Sequence, residues 1–596
     1  MDILNSMLAI AEAVPVNTGS VFDKWDWLFI GLFLLGMVAI IWYSMLKKAR
    51  SGQDYFLSSR DAGWLPIGTS IYTSNIGSEH LVGLAGAGFA SGLAMAHWEI
   101  QAWLILVLGW VFVPIYDRIK VFTMPEFLEL RFSRGSRSIL SILTIASLVL
   151  TKIAVTLYAG SVVFKVLLGI HNVTIFNHTI DAFWPIAIGL ALVTGIYTVL
   201  GGLRVIMYTA VLQTPVLLFG SICILYIGLT KLGAGSLAEG WRHMMAAVGS
   251  NVKLVRPLSD PEFPWLAVLP GSAIIGFWYW CTDQYIVQRV LAGRNEKESR
   301  RGSILAAYLK LTPVFIFLIP GMAALALSQS GMLNVKIADE AYTSLVAQIL
   351  PSGIRGLVAC GMLVALMASL ASKFNASATL FTMDFYQKWY PKASGATQVF
   401  VGRIATAVIV VLGMVWATVI IGLGKNLYLY LQQVQGYMSP AIAVLFVAGI
   451  FWKRTNHIGA FWAFLVGMIG GFGRLALDLL IDLPKKGWKE AVDSGTMTAA
   501  QQEANINALQ AKYGILYNLQ HVHWLYYCEA LLIITIVLLV TISLLTKAPD
   551  PKTVRYTFYG STPEEKLATR ASWNKWDVIN TIIILAAVAA FYIYFW

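Results

Sequence analysis

The side chains able to do chemistry in this chain are few and lie where polar groups are costly. Ionisable residues inside apolar runs of membrane-spanning length include Glu79, His80, Glu99, Lys152, Asp283, Lys310 and Asp384. A lone charge in hydrocarbon costs several kcal/mol, so each must face the bundle interior or lie near an interface. Asn75, His80 and Glu99 together offer a hydroxyl-rich ligand both donors and acceptors. Lys310, in ILAAYLKLTPVFIFLIPG, adds a point charge, and Gln432, in YLYLQQVQGY, adds an amide. Tyr279 and Trp280 supply flat faces on which a ring can stack. The set is neutral overall and polyol-like. An anionic ligand would call for an arginine clamp, and no arginine lies mid-span. Lys152 and Asp283 read equally well as a structural ion pair, Asp384 as a group near a helix end, and Glu79 as an interior structural partner.

The stretch that must position these groups runs from Thr69 to Glu99, TSIYTSNIGSEHLVGLAGAGFASGLAMAHWE. Its middle, Thr73 to His80, is polar, and Gly83, Gly86, Gly88 and Gly92 follow. A bilayer helix keeps its apolar run intact unless unwound backbone lines a protected cavity. The break is therefore expected to hold a solute and an ion at mid-membrane depth. For an ion the useful chemistry is hard oxygen: unwound carbonyls near Thr73 and Ile76, the Ser369 hydroxyl and the Ala365 carbonyl. The last two lie in LMASLASKFNASATLF, whose small residues also suit close helix packing. A second run, WLAVLPGSAIIGFWYWCTDQYIVQR, carries Pro270-Gly271 and Gly276, and an interruption is expected there. Two interrupted spans five helices apart predict an inverted five-plus-five repeat with the site at the repeat interface.

Composition sets the class. Of 596 residues, 58% are hydrophobic and 12% charged, half the charge of a soluble domain. Hydropathy predicts an all-α polytopic membrane protein with about fourteen spans: 25–45, the polar-broken stretch, 94–116, 138–167, 183–200, 205–229, 266–288, 303–328, 354–386, 400–423, 428–451, 457–482, 523–546 and 575–596. The net charge of +12 follows from basic clusters at Lys47–Arg50, Arg131–Arg137, Arg289–Arg301, Lys453–Arg454 and Lys547–Lys575. Most basic clusters fall on one side, while the opposite loops 230–264, 329–352 and 483–522 are more mixed; this places both termini outside and gives no reason to invoke nucleic acid. Cys223, Cys281, Cys360 and Cys528 sit in apolar runs as small core residues, not as a disulfide or metal framework. The opening MDILNSMLAIAEAVPV has no charged leader, so no cleaved signal is expected. Segments 485–520 and 547–574 are too short for a core of their own. Glu79-His80 lacks an HEXXH context, and no enzymatic activity is expected.

TSNIGSEHLVGLAGAGFASGLA, GWVFVPIY, TMPEFLELRF, YWCTDQYIVQR, YLKLTPVFIFLIPGM, FNASATLFTMD and GIFWKRTNHIGAFW resemble the sodium/solute symporter family over most of residues 50–470. The likeness is nearest to the sodium–glucose cotransporter branch. It implies a LeuT-like inverted-repeat bundle with two discontinuous helices. Residues 1–50 would form an outer terminus and an extra helix, 51–452 the transporter core, and 453–596 peripheral helices. It implies sugar contacts at Asn75, His80, Glu99, Tyr279, Trp280, Lys310 and Gln432, and gating at Tyr279 and Tyr428. Sodium, the co-transported ion, would be held by Thr73, Ile76, Ala365 and Ser369. His80 resembles glucose-type members; a bacterial galactose member has glutamine there.

Four positions depart from the family pattern. Ala368 replaces a serine that supplies a sodium hydroxyl, and Gly276 replaces a polar residue that approaches the sugar. Ala210 and Ala371 replace groups that bear on a second sodium. One sodium per sugar at most is expected, with proton or weak coupling as alternatives. The leading expectation is sodium-coupled hexose symport by alternating access across the plasma (inner) membrane, with sugar, sodium and lipid as partners. Symport of myo-inositol or another polyol, and a sugar sensor or sugar-gated conductor, are the alternatives.

Overall fold

The computed structural model describes residues 21–170, 172–175, 178–420 and 427–596; the MDILNSMLAIAEAVPV segment lies outside them. Among the described residues, twelve helices are long and apolar enough to cross a membrane. The expected fourteen differs from this number at two places. Spans 183–200 and 205–229 form one helical stretch, Phe183–Leu232, of 50 residues. Straight, it would be about 75 Å long, more than twice the hydrocarbon thickness. It turns instead at Gly202, whose φ of 57° and ψ of −152° are not helical. A Cβ there would lie 2.4 Å from the Tyr55 carbonyl oxygen, so the turn and the contact both require glycine. The second place is the polar stretch, which no single helix spans.

That stretch breaks where its polarity predicts. Helix Trp64–Asn75 stops at Ile76, whose ψ of 120° is extended. After Gly77 and Ser78 the chain re-forms as a π-helical turn, Glu79–Leu84, and then as helix Ala85–Ser91. A helix end leaves its last carbonyls without ladder partners. The Ile76 N–H still reaches Tyr72 O at 3.1 Å, and the next backbone acceptor is Gly77 O, bonded by the N–H groups of His80 and Leu81, which leaves the carbonyls from Thr73 to Ile76 outside the ladder.

The second interruption is real but sits elsewhere than expected. Trp265–Thr282 is one helix through Pro270, Gly271 and Gly276. The break comes at Asp283, with ψ 127°, ahead of helix Gln284–Leu291. The glycines serve close approach instead. A Cβ on Gly271 would lie 2.7 Å from Leu525, and one on Gly276 only 2.2 Å from Gln101 Oε1.

The molecule is layered from its centre outward. Helix Ile354–Leu380 is buried along nearly its whole length and packs chiefly on Phe183–Leu232. Helix Trp64–Asn75 lies against Glu296–Lys310. Lys24–Met45, Trp524–Leu545 and Lys575–Tyr594 form the rim and turn residues such as Leu35, Ile533 and Ile582 outward, as lipid-facing helices do. The single strand pair among the described residues, Asn172–Ile175 with His178–Asp181, is a short antiparallel hairpin.

One ion pair fixes a rim helix to the centre. Asp26, in the first turn of Lys24–Met45, is fully buried. It accepts from Arg355 Nη2 at 2.8 Å and from the backbone N–H groups of Gly353 at 2.8 Å and Gly356 at 2.7 Å. A Cβ on Gly356 would lie 2.4 Å from Asp26 Cα. Asp26→Ala would strand the Arg355 guanidinium and two N–H donors, at a cost of about 3 kcal/mol. Thermal unfolding of the detergent-solubilised protein should show a clearly lowered midpoint for Asp26→Ala, and Asp26→Asn should recover only part of it.

Candidate functional site

Residues flanking both breaks line one cavity of about 40 Å³. It is lined by all seven residues expected to meet substrate, namely Asn75, His80, Glu99, Tyr279, Trp280, Lys310 and Gln432, and by Tyr428. Their spacing in sequence exceeds 350 positions, so the fold alone brings them together.

Glu99 is the hub. Lys310 Nζ donates to its Oε2 at 2.5 Å and the Tyr428 hydroxyl to its Oε1 at 2.5 Å. His80 Nε2 stands 3.5 Å from Oε2. Each of these residues comes from a different helix and each is buried. The Lys310 ammonium also lies 5.2 Å from the centre of the Trp280 ring, a cation–π contact that helps hold it without water. Trp280 directs its indole N–H to Gln101 Oε1 at 3.2 Å.

A second chain of bonds runs across the floor. The Tyr279 hydroxyl donates to Asn75 Oδ1 at 2.9 Å, and the Tyr285 hydroxyl donates to that of Tyr279. Tyr279 thus ties the end of the first broken helix to the helix that follows the second break. Asp283 is held there by Lys152 Nζ at 2.6 Å. The same ammonium lies 4.9, 5.3 and 4.5 Å from the rings of Trp278, Tyr279 and Tyr285. Of the two readings left open for Lys152 and Asp283, the ion pair is what the structure holds.

The proposed ion ligands gather beside the first break. The hydroxyls of Ser74 and Ser372 meet at 2.7 Å, which sets the turn holding Thr73 against the turn holding Ser369. Thr73 Oγ1, Ser369 Oγ and Ser78 Oγ are all buried and lack a hydrogen-bond partner among the described residues. Unpartnered buried hydroxyls are rare and need a reason. Hydroxyl and freed carbonyl oxygens are the hard ligand type that suits a sodium ion. Ala365 and Ala368 are buried on the same helix; the Ala368 carbonyl accepts from Ser372 Oγ at 2.7 Å.

Some cavity residues carried no sequence-level assignment. Gln101, two residues after Glu99 in WEIQAW, lines the cavity, as does Tyr285. Lys373 is buried in helix Ile354–Leu380 and pairs with Glu79 at 3.4 Å; a lysine inside SLASKFNAS was a visible signal. Asp384 lies away from the cavity, as expected, bonded to Arg137 at 2.5 Å, Ser141 at 2.6 Å and Thr123 at 2.7 Å.

Comparison with known proteins agrees with this architecture. Residues 55–467 match the Sodium:solute symporter family. The human sodium/myo-inositol cotransporter 2 is 34% identical over 555 residues, 88% of this chain and 77% of that protein. The sodium/glucose cotransporter 4 of Danio rerio is 33% identical over 573 residues, 91% of this chain and 82% of that protein. Among solved structures, a sodium-coupled sialic acid symporter in a substrate-bound outward-open state superposes with a TM-score of 0.68 at 19% identity. That match covers 89% of this chain and 99% of the other.

The Lys152–Asp283 pair admits a direct test. Asp283→Asn should leave a buried ammonium uncompensated and lower the unfolding midpoint strongly, by the equivalent of about 3–5 kcal/mol. Adding Lys152→Met in the same chain should restore part of that loss, because two neutral groups cost less than one unpaired charge.

Proposed function

The chain belongs to the sodium:solute symporter family, and on that premise we propose that it carries a hexose inward with one sodium ion. Sodium-coupled solute symport through a multi-pass membrane protein, and not enzymatic catalysis, is the activity of this family. The observation that carries the finer reading is the Glu99 hub. A carboxylate, an ammonium, an imidazole, a phenol and two amides converge on one cavity, each able to exchange its present partner for a sugar hydroxyl. Asn75, His80, Glu99, Lys310 and Gln432 are the polar contacts in this reading, and Tyr279 and Trp280 the stacking faces. The cavity of about 40 Å³ holds only a few waters. The sugar therefore enters as pairs such as Tyr428–Glu99 and Tyr279–Asn75 part, which is the gating role given to Tyr428 and Tyr279.

Sodium takes the oxygens of Thr73, Ile76, Ala365 and Ser369. It thereby bridges the first break to helix Ile354–Leu380 and favours the arrangement in which the sugar site is formed. Coupling follows from that difference in affinity between states. The breaks at Ile76 and Asp283 support an inverted five-plus-five repeat of fourteen crossings, with core residues 51–452 flanked by 1–50 and 453–596 and both termini outside. Myo-inositol is the second reading, favoured by the human relative named for it; it too carries hydroxyls around a six-membered ring.

Uptake of radiolabelled glucose and myo-inositol into proteoliposomes tests this. An inward sodium gradient should drive accumulation of one of them above equilibrium, which a sensor or sugar-gated conductor would not do. Gln432→Ala should raise KM for that solute about tenfold, the worth of one hydrogen bond to a buried group. Ser369→Ala should raise the half-saturating sodium concentration, and Ala368→Ser should lower it. Absence of sodium stimulation with every hexose and polyol would overturn the proposal.

A further inference from the structure

We propose that Lys373 is a tethered rival of the transported sodium ion, weakening its binding and so setting the sodium concentration the transporter needs. This rests on the sodium reading above. Lys373 follows Ser369 by four residues on helix Ile354–Leu380, so the two side chains leave the same face one turn apart. Lys373 is buried. Its ammonium donates to Thr156 Oγ1 at 2.7 Å and to the Lys152 carbonyl at 3.5 Å, and stands 3.4 Å from Glu79 Oε1.

The Glu79 carboxylate in turn lies over the first break. A Cβ on Gly77 would fall 2.3 Å from Glu79 Oε2 and 2.9 Å from Oε1. The lysine charge therefore reaches the break through a carboxylate that covers Gly77, the residue after Ile76. Glu79 Oε2 is buried and has no hydrogen-bond partner among the described residues, so this oxygen keeps its capacity for a second cation.

Two cations and one carboxylate thus share the break. Charges within a protein interior are screened far less than in water, so a like charge nearby opposes an entering cation. With Lys373 on Glu79, a sodium ion at Thr73 and Ser369 meets a like charge that is only partly balanced. The ammonium supplies permanently some of the positive charge that sodium would otherwise bring, and the ion binds more weakly. Glu79 also lines the substrate cavity, so the rivalry is felt on its wall.

The test is the sodium activation curve of uptake in proteoliposomes, with the solute the wild-type protein accumulates. Lys373→Met removes the rival and leaves Glu79 facing sodium alone; half-saturating sodium should fall about tenfold. Lys373→Arg keeps the charge and should stay near wild type. Glu79→Gln removes the balancing charge but keeps the lysine, and half-saturating sodium should rise by a similar factor. Glu79→Gln also covers the case in which Lys373→Met fails to fold. An unchanged or raised sodium requirement in Lys373→Met, or an unchanged one in Glu79→Gln, would overturn the proposal while leaving sodium coupling intact. A wild-type protein indifferent to sodium would instead overturn the reading on which it rests.

Discussion

A charge held at bilayer depth must meet its opposite, and three lysine–carboxylate pairs in the interior answer that constraint. Lys310 meets Glu99, Lys152 meets Asp283, and Lys373 meets Glu79. Glu79 opens the π-helical turn after the first break, and Asp283 is itself the second break. Where the helical ladder is interrupted, fixed charges replace it as the tie to neighbouring helices. Such pairs add little net stability over apolar packing, yet losing one member is severe because the other stays buried. The breaks are thus held from the side by charge pairs whose members are costly to remove one at a time.

Much of this was legible in the sequence, because polarity inside an apolar run has few explanations. The run from Thr73 to His80 announced the first break, and Glu99, Lys310 and Gln432 stood out as polar groups with nowhere to go but inward. The second break was announced by the wrong residues. Pro270 lies early in its helix and costs one ladder bond, which the helix tolerates, while Gly276 admits Gln101. Asp283, which does interrupt the helix, stood out in sequence as a buried charge but not as the point where the helix ends. Its bond to Lys152 spans 131 positions, a distance over which no local pattern speaks. Lys373 escaped notice because the small residues around it read as a packing surface, which they also are. The span count of 183–232 turned on Gly202, one glycine among 50, marked only by the backbone conformation it adopts.

The hub around Glu99 has a further property on the proposed reading. Both its oxygens are engaged, by Lys310 and by Tyr428, so the cavity is polar without being hungry for water. A hydroxyl entering can replace these partners one at a time. The desolvation that usually opposes binding in a dry site is thereby spread over several small exchanges.

The tie between Asp26 and Arg355 carries a consequence for biosynthesis. The two residues are 329 positions apart, and synthesis at about 5–20 residues per second separates their appearance by about 15–65 s. For that interval helix Lys24–Met45 has its aspartate unmatched in its first turn. Only when helix Ile354–Leu380 is inserted does the carboxylate gain a guanidinium and two backbone N–H groups. Helix Lys24–Met45 is therefore made well before its tie can form, and its seating waits on the arrival of the helix that carries Arg355.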